Sequence, residues 1–501
     1  MSKFEREIIR TIVERYRRIW ALNHATSLMS WDQETYMPSQ GVSERSVALA
    51  ELSVLYRELI LRDEFVSLVE KAKNEKDLNL WERGVVRVLD REITRMKKIP
   101  PELLYDLQKT SSEAFQVWRR SKEERKMEPF LPYLKRLVEI NVEIANRLGY
   151  EEEPYDALLD MYEEGLRTRD VKNIFDVLKP ELRRKLERMR NGSKFYGEHE
   201  LERINYERVK MEAVNQEVLR LIGFPDDRMR LDVSPHPFTI NMGSNDVRIT
   251  TRYEGYDFKR SLFSVLHEFG HATYELQIDP ELDMTPIGSG VSLGIHEGQS
   301  RFWENVVSRT RAFTEVVKPI LDKHLEFTRS YPADEIYRYF ASVRPSLIRT
   351  EADEVTYNMH IALRFEIEER LINGEMKVED VQEEWNELME NLLGVRPKDP
   401  SEGPLQDVHW SHGTFGYFPT YTLGNIVASM MMKKLSSSRR ISEMIREKRF
   451  DEIKGFMKDN VHVYGSALAP KDLLIRSFGK TYSPEDLLDY VEVKYLQDSE
   501  Y

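Results

Sequence analysis

With 501 residues, 41% of them hydrophobic and 32% charged, the chain is long enough to bury a large core. Cysteine is absent, which excludes disulfides, thiol nucleophiles and cysteine-held zinc, so any bound metal must sit on nitrogen and oxygen. A net charge of −13 argues against nucleic acid as the main partner, because phosphate binding needs a positive face.

The N-terminal stretch KFEREIIRTIVERYRRIW, Lys3 to Trp20, interrupts its apolar residues with charge at every turn and offers no signal-peptide core. No run of eighteen apolar residues follows anywhere, so the expectation is a soluble, cytoplasmic protein without a membrane span. Apolar residues then recur at helical spacing to about Asn146, as in Ile8, Ile9, Ile12, Val13, Tyr16, Ile19 and Trp20. Pro100 with Pro101, and Pro129 with Pro132, divide this region into several helices. The same period returns from Val171 to Arg190, from Arg311 to Leu392 and from Ile441 onward, which predicts a mainly α protein.

One stretch departs from that period. Between Asp232 and Tyr253, PFTINMGSNDVRITTRY holds two β-branched runs separated by Gly243, Ser244, Asn245 and Asp246, the signature of a hairpin and hence of a small antiparallel sheet. PIGSGVSLG (residues 286–294) and HGTFGYFPTY (residues 412–421) break the helical pattern and read as ordered loops beside a site. No internal repeat, low-complexity tract or long linker marks a boundary, so residues 1–501 read as one unit of two closely packed helical lobes. Abundant charge without cysteine suits a heat-stable protein.

The chemistry is concentrated in HEFGH, His267 to His271, inside a segment where Phe258, Leu262, Leu266 and Phe269 recur every three to four residues. On a helix, two histidines four apart share a face and can both reach one Zn²⁺, while Glu268 beside them can take a proton from water. A third ligand is needed, and no histidine follows at the spacing of the longer HExxHxxGxxH pattern. Glu297, 26 residues beyond His271 in GIHEGQSRFWENVV, supplies it from a second helix and completes a His₂Glu set with one position open. His296 adjoins Glu297 but points about 100° away on a helix, and reads as an outer or merely packed residue. A substrate carboxylate near such a site needs a fixed cation, preferably an arginine fork; Arg248 in DVRITTRY and Arg349 in SLIRTEAD are the candidates, although by spacing alone each reads more readily as a surface or structural arginine.

HPF (residues 236–238), DVRITTRY (246–253), HEFGH, HEGQ (296–299), IRTEAD (348–353) and GYFPTY (416–421) together closely resemble the carboxypeptidase Taq family of HExxH metallocarboxypeptidases, and WDQETYMP (31–38) extends the likeness to the whole chain. The resemblance implies a many-helix, saddle-like fold with a deep groove, related to the angiotensin-converting-enzyme and neurolysin architectures. It implies broad removal of C-terminal amino acids from peptides with a free carboxylate, and homodimers. Carried over, His267, His271 and Glu297 hold one Zn²⁺ or Co²⁺ and Glu268 is the general base. Arg349 with Arg248 takes the terminal carboxylate, and His236, His412 and Tyr421 serve the scissile region, with Tyr421 helped by His412. One departure concerns the acidic residue that related glutamate-ligand enzymes carry four positions after the ligand: here it is Arg301, leaving Asp353 and Glu351 as candidates to orient a histidine. Two other readings remain: an oligoendopeptidase, which would tolerate an amidated C-terminus, and a non-catalytic helical scaffold, which would show no metal-dependent hydrolysis.

Overall fold

The computed structural model describes residues 3–501, and among them no helix is long and apolar enough to cross a membrane. The chain opens with nine helices: α1 (Glu7–Thr35), α2 (Val42–Ile60), α3 (Asp63–Lys73), α4 (Leu80–Lys98), α5 (Pro101–Glu124), α6 (Leu131–Leu148), α7 (Pro154–Tyr162), α8 (Thr168–Gly192) and α9 (Arg208–Leu221). Their borders follow local chemistry. Asn79 caps α4, its side chain accepting from the Trp81 and Glu82 backbones while Glu82 reaches back to Asn79 N–H at 3.0 Å. The helix stops before Pro100, and Pro101 opens α5, where its missing N–H costs nothing. On α1 the predicted stripe faces inward, with Ile9, Ile12, Tyr16 and Ile19 buried.

The expected hairpin is present as β2 (Thr239–Gly243) and β3 (Asp246–Thr251), antiparallel with Ile240 opposite Arg248 and a bulge between Asn241 and Gly243. A third strand not anticipated from the sequence, β1 (Met229–Val233), joins the other edge of β3 in parallel, pairing Leu231 with Ile249, so the sheet is mixed. Its alternation of Met229, Leu231 and Val233 with Arg230 and Asp232 has the strand period but lies just ahead of the β-branched run.

Beyond the sheet come α10 (Phe258–Leu276), α11 (Leu293–Arg301), α12 (Arg311–His324), α13 (Ala333–Phe340), α14 (Tyr357–Ile372), α15 (Val381–Leu393) and α16 (Pro419–Ser436). The last four, α17 to α20, span Ile441–Arg446, Phe450–Asn460, Pro470–Phe478 and Pro484–Val491. The fold is thus mainly helical with one small sheet. A π-helical turn, Phe302–Val307, continues α11, and a second, Glu492–Leu496, follows α20.

What positions the site is the stacking of α10 between the sheet and α11, and of α11 between α10 and α16. Phe258, Leu262, Leu266 and Phe269 bury one face of α10. At the two crossings the helices come so close that a Cβ would collide, with main chain at one and with the base of the Glu297 side chain at the other. A Cβ on Gly270 would stand 2.6 Å from Ser300 Cα, and one on Gly424 would stand 2.7 Å from Glu297 Cβ. Only glycine allows either approach.

Candidate metal centre

HEFGH lies in the middle of α10, and its helical spacing turns His267 and His271 to the same side, toward α11. Glu297 Oε2 comes from α11 to 3.6 Å from His267 Nε2 and 3.4 Å from His271 Nε2. One ligand atom from each of the three residues falls within 4.8 Å of the others. Two imidazole nitrogens and one carboxylate oxygen, borderline and hard donors facing a common point, fit a zinc-type divalent ion.

The surroundings orient each group. His267 Nδ1 is 2.9 Å from Glu304 Oε2, so the proton on that nitrogen is held by a carboxylate and Nε2 keeps its lone pair for the metal side. Glu304 stands seven residues after Glu297, two turns along the same face, and the π-helical turn carries it. Arg301, at the position where an acidic residue was sought, instead donates Nε to Glu297 Oε1 at 2.7 Å and Nη1 to Glu304 Oε2 at 3.1 Å. It thereby occupies one oxygen of the Glu297 carboxylate and leaves the other facing the histidines. Burial opposes ionisation of Glu297, but Arg301, His267 and His271 hold it well below the usual carboxylate range. The same balance, with Arg301, His267 and Arg309 against burial, keeps Glu304 ionised.

Glu268, next along α10, is buried, and its Oε2 accepts the Thr239 hydroxyl of β2 at 2.6 Å. Burial lifts its carboxyl above the ordinary value. A more basic carboxylate is the better proton acceptor.

His267 and Glu297 line a cleft of about 550 Å³ whose walls also include Arg349, Tyr357 and Tyr421. Arg349 is buried, with Nε and Nη2 donating to Asp407 Oδ1 at 2.9 and 2.7 Å and Nη1 to Tyr357 Oη at 2.8 Å. Asp407 also takes Nε of Arg364 on Oδ2 at 2.7 Å. Burial would lower the charge on Arg349, but Asp407 more than offsets it.

Other residues singled out from the sequence stand elsewhere. Arg248 is forked onto Asp246 at 2.9 Å and stacked 4.3 Å over Trp31, so its cation is spent within the protein, and it is not among the residues lining the cleft. His236 is exposed in the connection between β1 and β2, beside Pro237 on the cleft wall. His412 is exposed and stacks on Phe115 of α5 at 5.2 Å, away from Tyr421. The histidine against Tyr421 is His409, with Nε2 3.2 Å from the phenol oxygen. Both histidines belong to one short 3₁₀ turn, so spacing alone could not choose between them. Tyr421 itself lies in the first turn of α16 rather than in a loop. Glu351 pairs with Arg260 at 2.8 Å, and Asp353 accepts from Thr356 Oγ1 at 2.7 Å and Arg344 N–H at 3.1 Å, so neither orients a metal-side histidine.

Comparison with known proteins follows the same lines. The family described as carboxypeptidase Taq (M32) metallopeptidase matches residues 11–495. Thermostable carboxypeptidase 1 of Pyrococcus furiosus is 49% identical over 98% of this chain and 99% of its own length. Thermostable carboxypeptidase 1 of Thermus thermophilus is 36% identical over 94% of each chain. Among solved structures, Pyrococcus furiosus carboxypeptidase in a form designated Apo-Mg superposes with a TM-score of 0.97, covering 98% of this chain and 99% of that one at 49% identity. The M32 carboxypeptidase of Deinococcus radiodurans follows at 0.94 with 28% identity, covering 98% and 99%.

Proposed function

The chain belongs to the carboxypeptidase Taq (M32) metallopeptidase family, and from that premise we propose a metal-dependent carboxypeptidase that releases C-terminal amino acids from peptides with broad specificity. The observation that carries the reading is one cleft in which the His267, Glu297 edge of the metal centre faces a buried arginine, Arg349. Three of the five guanidinium N–H groups of Arg349 are engaged, leaving one on each terminal nitrogen for a carboxylate.

His267, His271 and Glu297 would hold Zn²⁺ or Co²⁺, which supplies Lewis-acid chemistry when bound, polarising a carbonyl and acidifying water. Glu268 takes the proton from the attacking water and returns it to the leaving amine. Thr239 fixes one of its oxygens, so the other is the one presented to water. Burial drives the His409 imidazole down to about 3, so the ring stays neutral. With its hydrogen on Nε2, it donates to Tyr421 Oη and frees the phenol O–H to donate to the developing oxyanion. This assigns to His409 the part that the sequence suggested for His412.

Matched free-acid and C-terminally amidated peptides test the exopeptidase reading. The acid should be cleaved efficiently and the amide poorly, and Arg349→Lys should lower kcat/KM for the acid alone, since lysine keeps the charge without the fork. Equal cleavage of both peptides by the parent enzyme would favour the endopeptidase reading.

We propose further that two copies pair. Along α1 and α2, Leu28, Val42, Val47, Val54 and Leu55 are 40%, 51%, 61%, 53% and 45% exposed, an apolar surface of the kind that marks protein contacts. Sedimentation velocity should give twice the 59.3 kDa chain mass, shifting toward a monomer when Val47 and Val54 become lysine. A parent protein that sediments as a monomer at micromolar concentration removes this reading.

A further inference from the structure

His267 and His271 are held by different devices. Behind His267 stands a carboxylate in direct contact, whereas behind His271 stands another imidazole: His271 Nδ1 is 2.7 Å from His296 Nδ1. The far side of that ring, His296 Nε2, is 2.8 Å from Glu275 Oε1. Glu275 is buried near the end of α10 and also takes the Gly290 N–H at 3.0 Å and the Asn241 amide. The ring of His296 is boxed in by His271 at 4.8 Å and Tyr274 at 5.0 Å, and a Cβ on Gly290 would stand 2.7 Å from its Cδ2. These contacts restrict its orientation.

We propose that Glu275 and His296 are positioning residues, a relay that fixes which nitrogen of His271 is left bare for the metal. The inference rests on His271 being a metal ligand, as proposed above. The Asn241 amide and the Gly290 N–H both donate to Glu275, and a carboxylate facing His296 Nε2 can only accept, so His296 carries its hydrogen on Nε2. The neutral ring then offers a lone pair at Nδ1. The hydrogen between the two rings therefore belongs to His271 Nδ1, and His271 Nε2, on the side of Glu297 and His267, keeps its lone pair. Without an acceptor at Glu275, the hydrogen of His296 can move to Nδ1 and donate to His271 Nδ1. That forces the hydrogen of His271 onto Nε2, where it blocks ligation. A histidine adjacent to one ligand thus governs the tautomer of another.

The test is Zn²⁺ affinity of the apo protein, measured by competition with a chromophoric chelator, together with the visible spectrum of the Co²⁺-loaded form. His296→Phe keeps a ring but removes the acceptor, and should weaken Zn²⁺ binding by about 10- to 100-fold, the range for loss of an outer partner of a ligating histidine. His296→Asn places an amide oxygen near the position of Nδ1 and should restore affinity to within about threefold of the parent and keep the Co²⁺ spectrum. Glu275→Met, similar in size and unable to accept, should weaken binding in the same direction and add nothing to His296→Phe. Parent-like affinity in His296→Phe, or equal loss in the Asn and Phe variants, overturns the relay. If His296→Phe does not fold, the Asn and Met variants decide on the same criteria. Glu297→Ala is the control for the underlying reading: it should release the metal on dialysis. If it does and His296→Phe binds normally, only the relay fails, whereas metal retained by Glu297→Ala rejects the ligand set itself.

Discussion

Glu268→Gln retains its metal and its fold but loses hydrolysis by about 10²- to 10⁴-fold, the usual worth of a positioned general base. The amide is nearly isosteric and can still accept the Thr239 hydroxyl through its oxygen, so the packing between α10 and β2 survives. What disappears is the only function that needs a charge there. Burial raises the affinity of this carboxyl for a proton. Metal content, thermal unfolding and kcat measured on the same preparation separate the two effects. Turnover near the parent value in the metal-loaded variant would remove Glu268 from the mechanism.

Asp407→Ala should be the most damaging single change away from the metal. Asp407 is shared by two buried guanidiniums, Arg349 and Arg364, whose side chains are 8% and 0% exposed. Its carboxyl lies far below the usual range: burial opposes this, but Arg349 and Arg364 prevail. Removing it leaves two cations without a counter-charge inside the protein, and breaking a buried pair in this way costs about 3 to 5 kcal/mol. Denaturant unfolding should register that loss, and kcat/KM for free-acid peptides should fall with it, because Arg349 loses the partner that aims it into the cleft. A stability change below about 1 kcal/mol would mean that the two arginines find other partners.

Much of this site was legible in the sequence, for reasons that differ residue by residue. HEFGH is a local pattern, and the helix that displays it is written into Phe258, Leu262, Leu266 and Phe269, so the two histidines and Glu268 could be read without tertiary knowledge. Glu297 needed only the demand for a third ligand on a second helix. Glu304 lies within reach of helical periodicity, two turns beyond Glu297, whereas the position one turn on is Arg301. Asp407, His409 and Glu275 were not accessible in this way. Each acts through a contact between segments distant in the chain, such as Glu275 of α10 with His296 of α11, and periodicity carries no information about such pairs. Arg248 shows the converse: the family resemblance implies a part for it at the substrate carboxylate, and the sequence does not reveal that Asp246 and Trp31 already engage it.

The glycine crossings have a consequence for heat. Where Gly270 meets Ser300 and Gly424 meets Glu297, the spacing of the helices is set by main chain against main chain or against the root of a side chain. At the Gly270 crossing, rotamer hopping, which loosens most helix interfaces as temperature rises, has no side chain to act on. The approach of α10 to α11, which brings His267 and His271 toward Glu297, therefore rests at Gly270 on stiff peptide geometry.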